Sequence, residues 1–208
     1  MIECFVLAGG QSRRFGEDKL LYEIGDKRTI EHTVETLKKV CDRVCVVVKD
    51  VDKFSFLEGV EFIKDLLAKQ YAIAGLYTAL KNLYSEKALV ISGDMPLIKE
   101  EVIRHLWFNS SPPITLYKVK GKYYPLFAVY YRELLKPIED YIRAGGERLM
   151  DFVLGLPYKA LEEGEVLPYD PELLSFVNMN TKEDAKLIIE LYGRKNIQSF
   201  SYNKLGAV

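Results

Sequence analysis

Four short strand-like runs, Ile2 to Ala8, Val44 to Val48, Glu61 to Lys64 and Ala88 to Ser92, alternate with segments whose apolar residues recur at helical spacing. Ile30, Val34, Leu37 and Val40 mark a helix between the first two runs. Ile73, Leu76, Tyr77, Leu80 and Leu83 mark another between the last two. The first two runs are apolar almost throughout, as strands buried on both faces are. Strand, helix, strand, helix in this order implies βαβ units and a mainly parallel sheet, with right-handed crossovers that lay helices on both faces.

The rhythm changes after Pro96. KEEVIRHLW reads as a helix, and PPITLYKVKGKYYPLFAVYY as two strands around Lys120-Gly121-Lys122, a hairpin rather than a crossover. RELLKPIEDYIRAGGERLMDFVLG gives two helical stretches broken at Gly145-Gly146. SFVNMNT reads as a short late strand, and TKEDAKLIIELYG as a closing helix with Thr181 as N-cap. RKNIQSFSYNKLGAV, from Arg194 onward, has no clear periodicity and is expected to be a mobile tail.

At 208 residues, 49% apolar and 12% aromatic, the chain can bury a sizeable core. The 29 basic and 30 acidic residues balance, which argues against non-specific nucleic-acid or membrane-surface binding. The N-terminus lacks the pattern of a secretory signal and no stretch suits a membrane span, so a cytoplasmic protein is expected. Cys4, Cys41 and Cys45 form an odd set without CxxC spacing. They are read as small buried hydrophobes in a reducing compartment.

LAGGQSRRFGEDK leaves the first strand at the edge where open parallel sheets bind ligands. Glycines there let the backbone approach a ligand, and successive N–H groups can form a concavity for an anion. Arg13, Arg14 and Lys19 follow within short reach, and such cations suit phosphate oxygens. The loop is neither GxxxxGK[ST] nor GxGxxG, which turns the reading away from a P-loop hydrolase or a dinucleotide-dependent dehydrogenase.

The stretch resembles the signature LAGGxSxRxGxDK of nucleotidyltransferases, matched here by Leu7, Ala8, Gly9, Gly10, Ser12, Arg14, Gly16, Asp18 and Lys19. It is most similar to the molybdenum cofactor guanylyltransferases, the MobA family, and the similarity continues in order through Asp65, Gly75, SGDMPL and FVNMNT. The resemblance implies a Rossmann-like three-layer α/β/α nucleotidyltransferase fold; one domain is expected over 1–193, with a tail over 194–208. It implies Mg²⁺-dependent transfer of GMP from GTP to Mo-molybdopterin with release of pyrophosphate. CTP with molybdopterin, an NTP with a sugar phosphate, and a non-catalytic nucleotide-binding module remain the rivals.

Both reactants are anionic, so the chemistry asks mainly for charge neutralisation and alignment. ALVISGDMPL is an apolar run that delivers Asp94 at its end, where a carboxylate can meet a metal or simply serve a turn. The resemblance makes Asp94 the Mg²⁺ and nucleotide ligand, and Arg14, Lys19 and Asp94 the catalytic set. Leu7, Ala8, Gly9, Gly10, Lys19, Asp65, Gly75 and Asp94 would bind GTP. Asp65 could accept from both N1–H and the exocyclic amine of guanine, hold ribose, or cap the next helix. Family members often carry Asn after the second strand, whereas this chain reads VVVKD and places Lys49 there.

Asn178 and Asn180 resemble the family's NxNT segment near the pterin, and Arg148 could meet the acceptor phosphate. Each has a plain structural alternative as a turn, cap or surface residue. His32 and His105 fall within helical patterns and read as structural. An oxygen-sensitive acceptor would favour transient complexes with other molybdenum cofactor proteins.

Overall fold

The computed structural model describes residues 1–9, 15–68 and 71–205, with residues 195–205 given as helical backbone. In chain order the elements are β1 (Glu3–Leu7), β2 (Glu23–Ile24), β3 (Lys27–Arg28), α1 (Thr29–Lys38), β4 (Arg43–Val48), β5 (Glu61–Lys64), α2 (Ala72–Lys81) and β6 (Lys87–Ser92). The second half holds α3 (Glu100–Phe108), β7 (Ile114–Val119), β8 (Lys122–Tyr131), α4 (Leu135–Arg143), α5 (Leu149–Leu154), β9 (Lys159–Glu162), α6 (Glu163–Val166) and α7 (Lys182–Leu205).

Among the described residues the main sheet has seven strands in the order β5-β4-β1-β6-β8-β7-β9. β5, β4, β1 and β6 run parallel, as the alternating pattern requires. β8 pairs antiparallel with both β6 and β7, and β9 joins β7 in parallel. The β7–β8 turn is made by Lys120 and Gly121 at φ 50° and 72°, the positive-φ pair that a tight hairpin needs.

Alternation along each strand sorts the core into two layers. Cys4, Val6, Val44, Val46, Leu89 and Ile91 face α1 and α3, where Ile30, Val34, Leu37, Val102 and Leu106 pack. Phe5, Leu7, Cys45, Val47 and Val90 face the other side, against Leu76 and Leu80 of α2, Ile138 of α4 and Phe152 of α5. β1, β4 and β6 are therefore apolar on both faces, which is why their sequences do not alternate, whereas β5 at the sheet edge has exposed charged ends. His32 Nε2 donates to Ile24 O (2.8 Å) and His105 Nδ1 donates to the Tyr117 hydroxyl (2.9 Å), which itself donates to Val102 O, both in structural settings. Among the described residues no helix is long and apolar enough to cross a membrane.

Three expectations are corrected. Cys4 and Cys41 are joined in a disulfide with a Cα–Cα distance of 6.1 Å, while Cys45 alone is a buried thiol. The pairing arises because the β1–α1–β4 unit returns the chain beside its own start, where Asp42 N–H and Arg43 N–H donate to Ile2 O. SFVNMNT is no strand: Leu174–Phe176 is a 3-10 turn and 177–180 is irregular. Its backbone donors go elsewhere, Met179 N–H to Asp94 O, and those of Asn180 and Thr181 to the Asp184 carboxylate. Finally, the helix does not stop at Gly193 but continues to Leu205, with Arg194 paired to Glu190 one turn back. Thr181 does cap it: its hydroxyl accepts from Asp184 N–H at 3.1 Å while Asp184 accepts from Thr181 N–H at 2.8 Å.

Candidate active site

β1, β4, β5 and β6 end on one rim. Ala8 N–H donates to Val47 O at 3.1 Å as the chain leaves β1, and Gly93 N–H donates to Leu7 O at 3.3 Å as it leaves β6. These bonds hold the start of the glycine loop beside the turn that carries Asp94. Gly93 lies close under its neighbours: a Cβ there would come within 3.3 Å of the Leu20 and Ile30 side chains.

Asp94 is 3% exposed, with a partner on each carboxylate oxygen. Lys19 Nζ forms an ion pair with its Oδ2, and Asn178 Nδ2 donates to its Oδ1 at 3.1 Å. Lys19 also donates to Asn180 Oδ1 at 2.9 Å, and Met179 N–H donates to the Asp94 carbonyl at 3.0 Å. A carboxylate, an ammonium and two amides thus converge from three distant segments. Sequence reasoning assigned Asn178 and Asn180 to the acceptor and Lys19 and Asp94 to the nucleotide. The structure puts all four in one cluster.

The loop from β6 is clasped a second time further on. Lys99 Nζ lies 2.8 Å from Oδ1 of the fully buried Asp170, whose Oδ2 accepts Ser175 N–H at 2.8 Å. Ser175 Oγ accepts Lys99 N–H at 3.0 Å. The segment leading into Asn178 is therefore anchored to the segment following Asp94, so the amides have little freedom to drift.

A second polar group lies further along the rim. Asp65 follows β5, with its N–H on Val48 O at 2.8 Å. Its Oδ1 accepts from Thr78 Oγ1 at 2.9 Å and from Leu67 N–H at 3.2 Å, and Lys49 Nζ stands 3.4 Å from Oδ2. Leu7, Gly9, Lys49, Asp65, Tyr71 and Gly75 line a small cavity of about 30 Å³. Gly75 allows close approach, because a Cβ would fall 2.9 Å from Leu7 Cδ1 and force that side chain or α2 to shift. Tyr71 also walls a larger, mainly apolar cavity of about 260 Å³ with Leu67, Ile73, Ala74, Ile142 and Gly146.

Other expected residues are placed differently. Arg148 caps α5 with its side chain 82% exposed and pairs with Asp151 at 3.8 Å. Gly10 and Arg14 lie outside the described residues. Thr78 and Tyr71 escaped sequence reasoning, since a helical Thr and a loop Tyr carry no distinctive pattern. The pairing of Lys49 with Asp65 had a signal: each directly follows one of two strands that run parallel side by side.

The model of the MobA-like NTP transferase domain matches residues 4–157. The "Probable molybdenum cofactor guanylyltransferase" of Aquifex aeolicus is 43% identical over 188 residues, covering 90% of each chain. The protein of the same name from Pyrococcus horikoshii is 39% identical over 190 residues, 88% of this chain and 96% of that one. The crystal structure of molybdopterin-guanine dinucleotide biosynthesis protein A from Archaeoglobus fulgidus superimposes with a TM-score of 0.82 at 28% identity, covering 93% of this chain and all of the other. With the domain model matching residues 4–157, most of the chain, and the Aquifex aeolicus relative 43% identical over 90% of it, this chain belongs to the MobA-like NTP transferase family.

Proposed function

We propose that the protein is a molybdenum cofactor guanylyltransferase, which transfers GMP from GTP to Mo-molybdopterin. An oxygen of the acceptor's terminal phosphate forms a bond to the α-phosphorus as the α–β bridging bond breaks, and that electron pair leaves with pyrophosphate. The carrying observation is the convergence of Lys19, Asp94, Asn178 and Asn180 beside the exit of β1. The names of the relatives supply the substrate pair.

In this reading the amides of Gly9 and Gly10, with Arg14 and Lys19, bind the phosphates, while Leu7 and Ala8, whose N–H donates to Val47 O, carry the loop out of β1 beside them. Asp65 and Gly75 belong to the nucleoside end, and the exposed Arg148 is the cation for the acceptor phosphate. Asn178 and Asn180 fix Asp94 and Lys19 and can turn spare donors and acceptors to the acceptor. Among the described residues no group of three or more His, Cys, Asp or Glu side chains is placed to hold a metal. The lone Asp94 carboxylate fits Mg²⁺, which takes one or two protein carboxylates and completes its shell with phosphates and water. When bound it would neutralise charge on the phosphates. The acceptor phosphate is already ionised near neutral pH, so no general base is needed.

The test is a product assay with GTP, Mg²⁺ and molybdopterin, reading pyrophosphate and the mass of the dinucleotide. Product that requires all three supports the proposal. A cytosine dinucleotide formed from CTP in preference would replace it with the cytidylyl reading, and nucleotide binding without pyrophosphate would leave a binding module.

A further inference from the structure

α1 packs behind the Asp94 turn, and its buried face carries two hydroxyls. Thr29 and Thr33 stand four residues apart, on one side of the helix, and both are fully buried. Thr33 Oγ1 donates to the Gly93 carbonyl at 3.1 Å, across 60 residues of sequence. Thr29 Oγ1 donates to Tyr22 O at 2.9 Å and lies 3.6 Å from Met179 Sδ. One helix face therefore touches both the turn that carries Asp94 and the stretch that carries Asn178 and Asn180.

A threonine within a helix can satisfy its hydroxyl on the carbonyl four residues back. Thr36 does so, donating to His32 O at 3.2 Å. Thr33 sends its hydrogen out of the helix instead. The carbonyl it reaches shares one rigid peptide plane with the Asp94 N–H, and Gly93 has no side chain to restrict rotation of that plane. The groups on either side are already held, Gly93 N–H on Leu7 O at 3.3 Å and Asp94 O by Met179 N–H at 3.0 Å. The Thr33 bond fixes the plane between them.

We infer that Thr33 is a positioning residue for the catalytic carboxylate, acting through the Gly93–Asp94 peptide from a place no substrate reaches. The inference rests on the guanylyltransferase reading of Asp94. Turning that plane re-aims the Asp94 side chain, and a small misalignment at a group that must meet charged phosphates costs rate more than affinity. A hydroxyl that served the fold alone would leave the turnover of folded molecules unchanged.

Pyrophosphate release by the whole protein with GTP, Mg²⁺ and molybdopterin tests this in three variants. Thr33→Val keeps the shape and removes the donor; kcat should fall about 5- to 20-fold, with KM for GTP within about twofold of the parent. Thr33→Ser restores a donor and should stay within about twofold of parental kcat. Thr36→Val makes the same change where the hydroxyl serves only its own helix, and should also stay within about twofold. In amide NMR spectra taken without nucleotide or metal, the Asp94 resonance should move in Thr33→Val and hold still in Thr36→Val. Parental kcat in Thr33→Val would overturn the inference, as would an equal loss in Thr33→Ser. A deficit accounted for by the fraction unfolded at the assay temperature, read from urea titrations, would overturn it too. Absence of pyrophosphate release by the parent protein would instead remove the guanylyl reading on which the inference stands.

Discussion

The Asn178 side-chain amide donates to Asp94 Oδ1 at 3.1 Å, joining positions 84 residues apart. It leaves Oδ2 to Lys19 and holds the carboxylate in one orientation without adding charge. Asn178→Ala should therefore lower kcat about tenfold with little effect on melting temperature, a loss of positioning rather than of fold. Asn178→Asp would set a second carboxylate against the first, and should cost about tenfold more than the alanine variant in a pyrophosphate-release assay.

Asp94 and Lys19 are partners with different tasks, and their variants should differ in kind. Asp94→Asn and Lys19→Met should each lower kcat/KM by about 10²- to 10³-fold. Only Asp94→Asn should raise the Mg²⁺ concentration needed for half-maximal rate. A titration of rate against Mg²⁺ for both variants checks this, and equal shifts would sink the assignment of the metal to Asp94.

The parts of this site that the sequence displayed are those made by strand ends. β1 and β6 announce themselves as apolar runs, and the residues just after a buried parallel strand must emerge at the ligand-binding rim, so Lys19 and Asp94 could be paired before any coordinates. Asn178 and Asn180 were legible as polar groups of interest but not as partners of Asp94, because a hydrogen bond across so much chain leaves no periodic trace. The apolar Phe176, Val177 and Met179 imitated a strand. Yet Met179 is buried among Phe15, Ile24 and Leu97 as a plug, not as a rung of a ladder. The cysteines misled for a similar reason: full burial of Cys4 suits a hydrophobe and a half-cystine equally well.

Gly75 makes a sharp test of helix seating. Adding one methyl places it 2.9 Å from Leu7 Cδ1, so Gly75→Ala should destabilise by about 1–3 kcal/mol in urea titration. Shortening Leu7 to Ala in the same chain should recover part of that loss, a non-additivity expected of residues in direct contact.

The Cys4–Cys41 disulfide closes a loop of 37 residues in sequence separation. On chain-entropy grounds its reduction should lower unfolding free energy by about 4 kcal/mol. Guanidinium titrations with and without a phosphine reductant measure this. The Cys4→Ala, Cys41→Ala variant should show no response to reductant, since the thiol of Cys45, which burial pushes up to about 12, is inert.

The rim opposite the active site carries a charge network with a defined pH response. Glu3 is fully buried, accepts from the Tyr84 and Ser85 N–H groups and pairs with Arg43 at 3.0 Å. Burial acts to raise its pKa, but those donors outweigh burial and hold it below the ordinary 4.5. A carboxylate lowered in the folded state stabilises above its unfolded pKa and loses that contribution as pH falls through the folded value. Glu3→Gln should thus be less stable by about 3 kcal/mol at neutral pH, with the gap closing as pH is lowered below 4.5. Urea midpoints for both proteins across that range check the sign.

The bond from Met179 N–H to the Asp94 carbonyl has a consequence for synthesis of the chain. A ribosome that has not yet passed Asn180 carries a polypeptide in which the glycine loop and Asp94 exist but their amide escort does not. Competence arrives only once Asn180 has been added, and fragments ending before that point retain an unsupported aspartate.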